Sequence, residues 1–107
     1  MRVYISGPIT GRKREEYMRH FTKAAGIIEA AGYNAYNPAL SHVLMPEDFT
    51  HEDYMAISEA ALKRCDAVFM LKGWKASDGA REEHMLANIL KLPVMYEEEL
   101  MKGEKGA

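Results

Sequence analysis

An α/β fold built on a small parallel sheet is the class this sequence predicts, and three observations predict it. Short apolar runs alternate with longer stretches of helical periodicity. The runs lack internal polar alternation, as expected of strands covered on both faces. Gly32 and Pro93 stand where a helix must end, the first as a left-handed cap and the second as a residue that cannot continue it.

Taken in order, residues 3–6 read as a strand, 15–31 as a helix, 34–36 as a strand, 51–64 as a helix, 67–71 as a strand, 79–91 as a helix and 94–97 as a strand. With right-handed crossovers this β-α-β-α-β-α-β order gives a three-layer, flavodoxin-like (Rossmann-like) domain whose four parallel strands lie in the order 2-1-3-4. A chain of 107 residues supplies one core and not two. Residues 1–100 are therefore read as one domain, and the polar stretch 101–107 as a fraying tail.

Composition excludes several functions. A formal net charge of −2 offers no broad basic surface for duplex nucleic acid. No apolar run reaches membrane-spanning length, and Met1 leads directly into Arg2-Val3-Tyr4-Ile5, so no membrane partner and a cytoplasmic location are expected. Cys65 is the only cysteine, which rules out an internal disulfide and a cysteine zinc cluster and leaves a small buried apolar role. The histidines at 20, 42, 51 and 84 lack metal-ligand spacing and read as surface or loop residues. No Ser/His/Asp order suggests a hydrolase triad. Neither the phosphate-loop pattern with its lysine nor the three-glycine dinucleotide fingerprint is present, so no cofactor is expected.

Ligands of open α/β sheets sit beyond the carboxyl ends of the strands. Three loops meet there: 7–13, 37–50 and 72–78. The first continues Ser6-Gly7-Pro8-Ile9-Thr10-Gly11, whose glycines permit close backbone approach to a ligand and whose hydroxyls and amides suit phosphate; the same glycines also fit plain turn punctuation. The third ends in Ser77-Asp78-Gly79, a cap for the next helix whose free amides and positive dipole end face the crevice.

Spacing residues about 100° apart along that last helix sets Leu86, Ala87, Ile89 and Leu90 in an apolar arc with Glu83 inside it, and Arg81, His84, Asn88 and Lys91 on the polar side. Glu83 is then either a carboxylate looking into the crevice or a surface charge favoured near a helix N-terminus. On the middle helix Tyr54, Met55, Ile57, Ala61 and Leu62 form the apolar face, with Ser58 near its centre, where it either back-bonds to its own helix or faces the site. Tyr4 is a core residue or one whose hydroxyl reaches the cleft. Trp74 stacks on a base or covers the sheet edge.

The segments Val3-Tyr4-Ile5-Ser6-Gly7-Pro8-Ile9-Thr10-Gly11, Ala31-Gly32-Tyr33, Asn37-Pro38-Ala39, Cys65-Asp66-Ala67-Val68, Gly73-Trp74 and Ser77-Asp78-Gly79-Ala80-Arg81-Glu82-Glu83-His84 together carry a resemblance over nearly the whole chain. The sequence resembles the nucleoside 2-deoxyribosyltransferase-like superfamily, in particular its small, mostly uncharacterised DUF4406-like branch, and is similar to 2'-deoxynucleoside 5'-phosphate N-hydrolases. The resemblance implies a glutamate nucleophile at Glu83 and a retaining, two-step cleavage of an N-glycosidic bond. It implies a tyrosine beside the nucleophile at Tyr4 and a phosphate-binding turn over Ser6, Gly7, Ile9, Thr10 and Gly11. It also places Asn37, Ser58, Trp74, Ser77 and Gly79 around the substrate. Ser77 stands where the transferases tend to carry an aspartate, and a serine can donate to phosphate whereas an aspartate repels it, which favours a nucleoside monophosphate.

The chain departs from the pattern at Ser58, eight residues before Asp66, where active relatives usually carry an aspartate that assists protonation of the leaving base. A serine is a poor general acid near neutral pH. Asp53 lies on another helical face. The expectation is hydrolysis of a nucleoside monophosphate or related small nucleotide, with non-catalytic nucleotide binding and deoxyribosyl transfer as the alternatives. The relatives pair through their helices, which implies a homodimer or larger homo-oligomer with the middle helix at its interface.

Overall fold

The computed structural model describes residues 1–100, so the expected fraying of 101–107 lies outside the described residues. The elements are β1 (Arg2–Ser6), α1 (Arg14–Ala30), β2 (Asn34–Tyr36), α2 (Pro38–Val43), α3 (His51–Leu62), β3 (Ala67–Met70), a 3-10 turn (Trp74–Ala76), α4 (Asp78–Ile89) and β4 (Val94–Tyr96). The four strands form one all-parallel sheet in the order β2-β1-β3-β4, flanked by helices, as the flavodoxin-like reading requires. Among the described residues no helix is long and apolar enough to cross a membrane.

Strand alternation divides the core in two. Val3, Ile5, Ala67, Phe69 and Leu71 face one side and pack against Tyr17, Phe21, Ala24 and Ile28, the buried stripe of α1. Tyr4, Val68 and Met70 face the other and pack with Leu62 of α3 and with Ala80 and Ala87 of α4. Gly32 ends α1 at φ 92°, and Tyr33 N–H donates to the Ile28 carbonyl at 3.2 Å, satisfying one of the helix's free acceptors. Thr50 and Asp53 open α3 with a reciprocal capping box, so Asp53 is committed to the helix terminus. Cys65 is buried and unpaired.

Two expected apolar arcs are corrected. On α4 the buried residues are Ala80, Glu83 and Ala87, while Ile89 is 69% and Leu90 36% exposed. The arc is rotated because the two alanines let the helix lie close over the sheet along an i, i+3, i+7 stripe. His84, expected on the polar side, is half-buried and its Nε2 lies 2.8 Å from the Tyr96 hydroxyl. On α3 only Leu62 is buried; Tyr54, Met55 and Ala61 are half-buried and Ile57 is exposed, because this helix packs on α4 and leaves its first two turns over a cavity.

Two further differences are local. The segment after β2 contains α2, announced by Asn37 as N-cap, which accepts from Ala39 N–H at 3.0 Å, and by Pro38 in the first helical turn. The last strand stops at Tyr96, one residue short of expectation, because Glu97 turns inward, accepts from the Lys72 backbone N–H at 2.7 Å and meets His20 at 2.8 Å.

Gly7 begins the loop after β1 directly against Leu71, where a Cβ would stand 2.7 Å from the leucine Cδ1 and 2.8 Å from its Cβ. Leu71 is fully buried and cannot withdraw. Gly7→Ala is therefore expected to cost about 1–3 kcal/mol by overpacking. Equilibrium unfolding in urea would show this as a lower midpoint, and an unchanged midpoint would refute the tight approach.

Candidate functional site

The site grows from the carboxyl end of β1. Tyr4 and Ser6 are alternate residues, so both side chains leave the strand on the face covered by α3 and α4. The same face receives Glu83, just over one turn into α4. Ser77 fixes the start of that helix, its Oγ accepting from Ala80 N–H at 3.3 Å. Glu83 is thus brought over the end of β1 and is only 7% exposed.

Its two carboxylate oxygens are held separately. The Tyr4 hydroxyl donates to Oε2 in a short hydrogen bond, and Ser6 Oγ donates to Oε1 at 2.7 Å. Burial pushes the Glu83 carboxyl above the ordinary glutamate range; the hydroxyls of Ser6, Tyr4 and Ser58 pull it back, and the neighbouring charge of Glu82 adds to the push. Burial, followed by the charge of Glu83, holds the Tyr4 phenol well above its ordinary value of 10.0, so Tyr4 remains a donor across the accessible pH range. The arrangement is a desolvated carboxylate steadied by hydroxyls, with no cationic partner in contact among the described residues.

A cavity of about 250 Å³ opens onto this carboxylate. That is slightly below the roughly 300–1,000 Å³ common for small-molecule sites. Ile9 and Thr10 of the first loop, Pro38, Ser41 and His42 of α2, His51, Tyr54, Met55 and Ser58 of α3, and Ser77, Asp78 and Gly79 at the start of α4 form its walls, with Tyr36 beside Tyr4. The Tyr4 and Tyr36 rings stack at 5.4 Å. Among the described residues no lysine or arginine lines the cavity, and no cluster of three His, Cys, Asp or Glu side chains is placed to hold a metal ion.

Of the residues singled out from sequence, Tyr4, Ile9, Thr10, Ser58, Ser77, Gly79 and Glu83 meet in this cavity, and Ser6 acts on it through Glu83. Gly7, Gly11, Asn37 and Trp74 are not among its lining residues. Gly7 is packed on Leu71, and Gly11 adopts φ 79° in open space, so these glycines serve the chain path and not a close approach to the cavity. Asn37 is occupied as the cap of α2. Trp74 stacks on His84 at 4.3 Å beside Tyr96 of the edge strand, which is the sheet-edge placement.

Sequence reasoning missed His42, Tyr36 and His51. His42 stacks on Tyr54 at 4.3 Å and 17°, and burial lowers its pKa below the ordinary histidine value. The Asn-Pro cap signal at 37–38 could have revealed α2 and with it His42. No local signal marks His51, which lines the cavity only because α3 leans on α4.

Because the folded-state pKa of Glu83 is raised, the stability this group contributes is fully present below its ordinary value of 4.5 and is lost as pH rises through the folded value. Glu83→Gln should therefore stabilise the protein at pH 7, by about 1 kcal/mol as is usual when a buried functional charge is neutralised. The gain should vanish toward pH 4. Thermal unfolding of both proteins across this range tests the sign, and a variant less stable at pH 7 would contradict it.

The chain belongs to a family described as a domain of unknown function, DUF4406, whose profile matches residues 1–96. No curated protein matches the chain.

Proposed function

We propose that this member of the DUF4406 family hydrolyses the N-glycosidic bond of a nucleoside 5'-monophosphate, with Glu83 as nucleophile. The observation that carries the reading is the Glu83 carboxylate itself, buried at the inner end of a cavity and held by the hydroxyls of Tyr4 and Ser6. A carboxylate in that setting is poorly solvated, which makes it reactive toward a developing oxocarbenium centre. One carboxylate oxygen bonds to the anomeric carbon as the bond to the base breaks, the base taking the electron pair. Water then attacks the same carbon and frees Glu83, giving free base and ribose or deoxyribose 5-phosphate. The likeness of the chain's motifs to the nucleoside 2-deoxyribosyltransferase-like superfamily supports the same assignment.

In this reading the phosphate rests on the amides of the Ile9–Thr10 turn, the hydroxyls of Thr10 and Ser77, and the N-terminal end of α4. Tyr36, Tyr54 and His42 offer flat faces to a base. Ser58 favours a second reading, nucleotide binding without turnover, since no carboxylic acid stands there to protonate the base. Deoxyribosyl transfer is the third, and the absence of a cationic side chain from the lining favours the free nucleoside that it uses.

Purified protein incubated with ribo- and deoxyribonucleosides and their monophosphates, with release of base followed by chromatography, separates the readings. Release from monophosphates is expected, reduced roughly 10³-fold or more in Glu83→Ala and about 10²-fold in Tyr4→Phe. Tight binding with no release sinks the hydrolase. Base exchange without net hydrolysis favours transfer, and release undiminished in Glu83→Ala removes the nucleophile.

The same reading includes self-association through the helical layer. Met85 and Ile89 of α4 and Ile57 of α3 are 63%, 69% and 36% exposed, more apolar surface than two packed helices need show to water. A homodimer is expected in sedimentation, weakened by Ile89→Lys; a monomer at all concentrations would refute it.

A further inference from the structure

A base leaving an N-glycosidic bond carries negative charge onto a ring nitrogen and departs readily only if that nitrogen is protonated. The hydroxyls around Glu83 cannot provide the proton. Tyr4 is held well above its ordinary value, and a serine hydroxyl is a weaker acid still. Burial in its stack with Tyr54 disfavours the charged form of His42. Asp78 is taken up by the Arg81 guanidinium.

Besides the phenols of Tyr36 and Tyr54, one further titratable side chain faces the cavity. His51, the first residue of α3, lines it, and its Nε2 lies 3.2 Å from Glu82 Oε2. Its ring rests on the first turn of α4, with Cε1 3.7 Å from the position a Cβ would take on Gly79. From Gly79 to Glu83 is one turn, about 6 Å along the axis. That spacing is comparable to the path from an attacking carboxylate oxygen across the anomeric carbon to the far ring nitrogen of a base.

We propose that His51, oriented by Glu82, is the general acid of this site; the proposal rests on the N-glycosidase reading given above. The imidazolium gives its proton to the base nitrogen as the bond to the anomeric carbon breaks and the base takes the electron pair. Glu83 forms the new bond to that carbon. The imidazole, now neutral, takes a proton from the water that attacks the glycosyl ester, Glu83 leaves as carboxylate, and His51 returns to its starting state. Glu82 is a positioning residue, playing toward the imidazole the part that a carboxylate plays in a triad.

The test compares a purine substrate with its N7-methylated counterpart, whose base is already cationic and leaves without a proton. For a pyrimidine-specific enzyme the pair is uracil and 5-nitrouracil, whose anion leaves readily. Full-length wild type, His51→Ala, His51→Gln and Glu82→Gln are assayed on both members. Both His51 variants should release the ordinary base about 10²-fold more slowly and the activated base at close to the wild-type rate. Glu82→Gln should show a smaller loss with the same selectivity. Equal slowing of both substrates, or slowing of neither, overturns the role of His51 while leaving Glu83 in place. Wild type that releases neither base overturns the glycosidase reading itself, and this proposal with it.

Discussion

A carboxylate buried and held by hydroxyls sets the terms for this molecule. Taking Glu83 out of water costs free energy that no nearby cation among the described residues offsets, and the fold answers with hydroxyls: Tyr4 on one oxygen, Ser6 on the other, Ser58 close by. Each comes from a different register of the structure. Tyr4 and Ser6 need β1 to point alternate residues at the helical layer, Ser58 needs α3 to lean over the end of the sheet, and Glu83 needs α4 to begin at Ser77. A slip of one residue in β1 would turn both donors toward α1 and leave the charge unsatisfied. Core, sheet register and site are therefore one constraint.

The surrounding packing serves that constraint. Ala80 and Ala87 bring α4 close enough to the sheet for Glu83 to reach β1, and the bare Gly7 lets the chain leave β1 against Leu71 without pushing β3 aside. At the far edge Trp74 stacks on His84, Tyr96 packs tilted against both, and the three rings close the space between the 3-10 turn, α4 and the edge strand. Glu97 ties that same end to the chain after β3 through the Lys72 amide and to α1 through His20. The cavity remains where these contacts stop, between α2, the first turns of α3 and the start of α4. Among the described residues its walls carry no lysine or arginine, so selectivity there falls to amides, hydroxyls and flat rings.

The four strands, the three long helices and the sheet order were legible in the sequence because each rests on local periodicity and on the burial of both sheet faces. Seven of the residues proposed for the site converge on one cavity because the carboxyl ends of parallel strands, the loops after them and the helices that cover them share one crevice. The misses have a different origin. Helical phase placed Leu86, Ala87, Ile89 and Leu90 in one apolar arc because it weighs hydrophobicity; Ala87 is buried, but the helix turned its small residues inward and left Ile89 exposed. Trp74 and Asn37 were drawn to the site by residue type; one was claimed by aromatic neighbours and the other by the cap of α2.

What the sequence alone determined about this protein is its architecture and the place of Glu83 within the inward arc of its helix, since both follow from spacings within single elements. Only the tertiary structure decided which hydroxyls hold that carboxylate, that His42 and His51 line the same cavity, and that Gly7 serves packing. Those facts depend on how far one helix leans upon another, and such a distance is fixed by contacts between residues far apart in the chain.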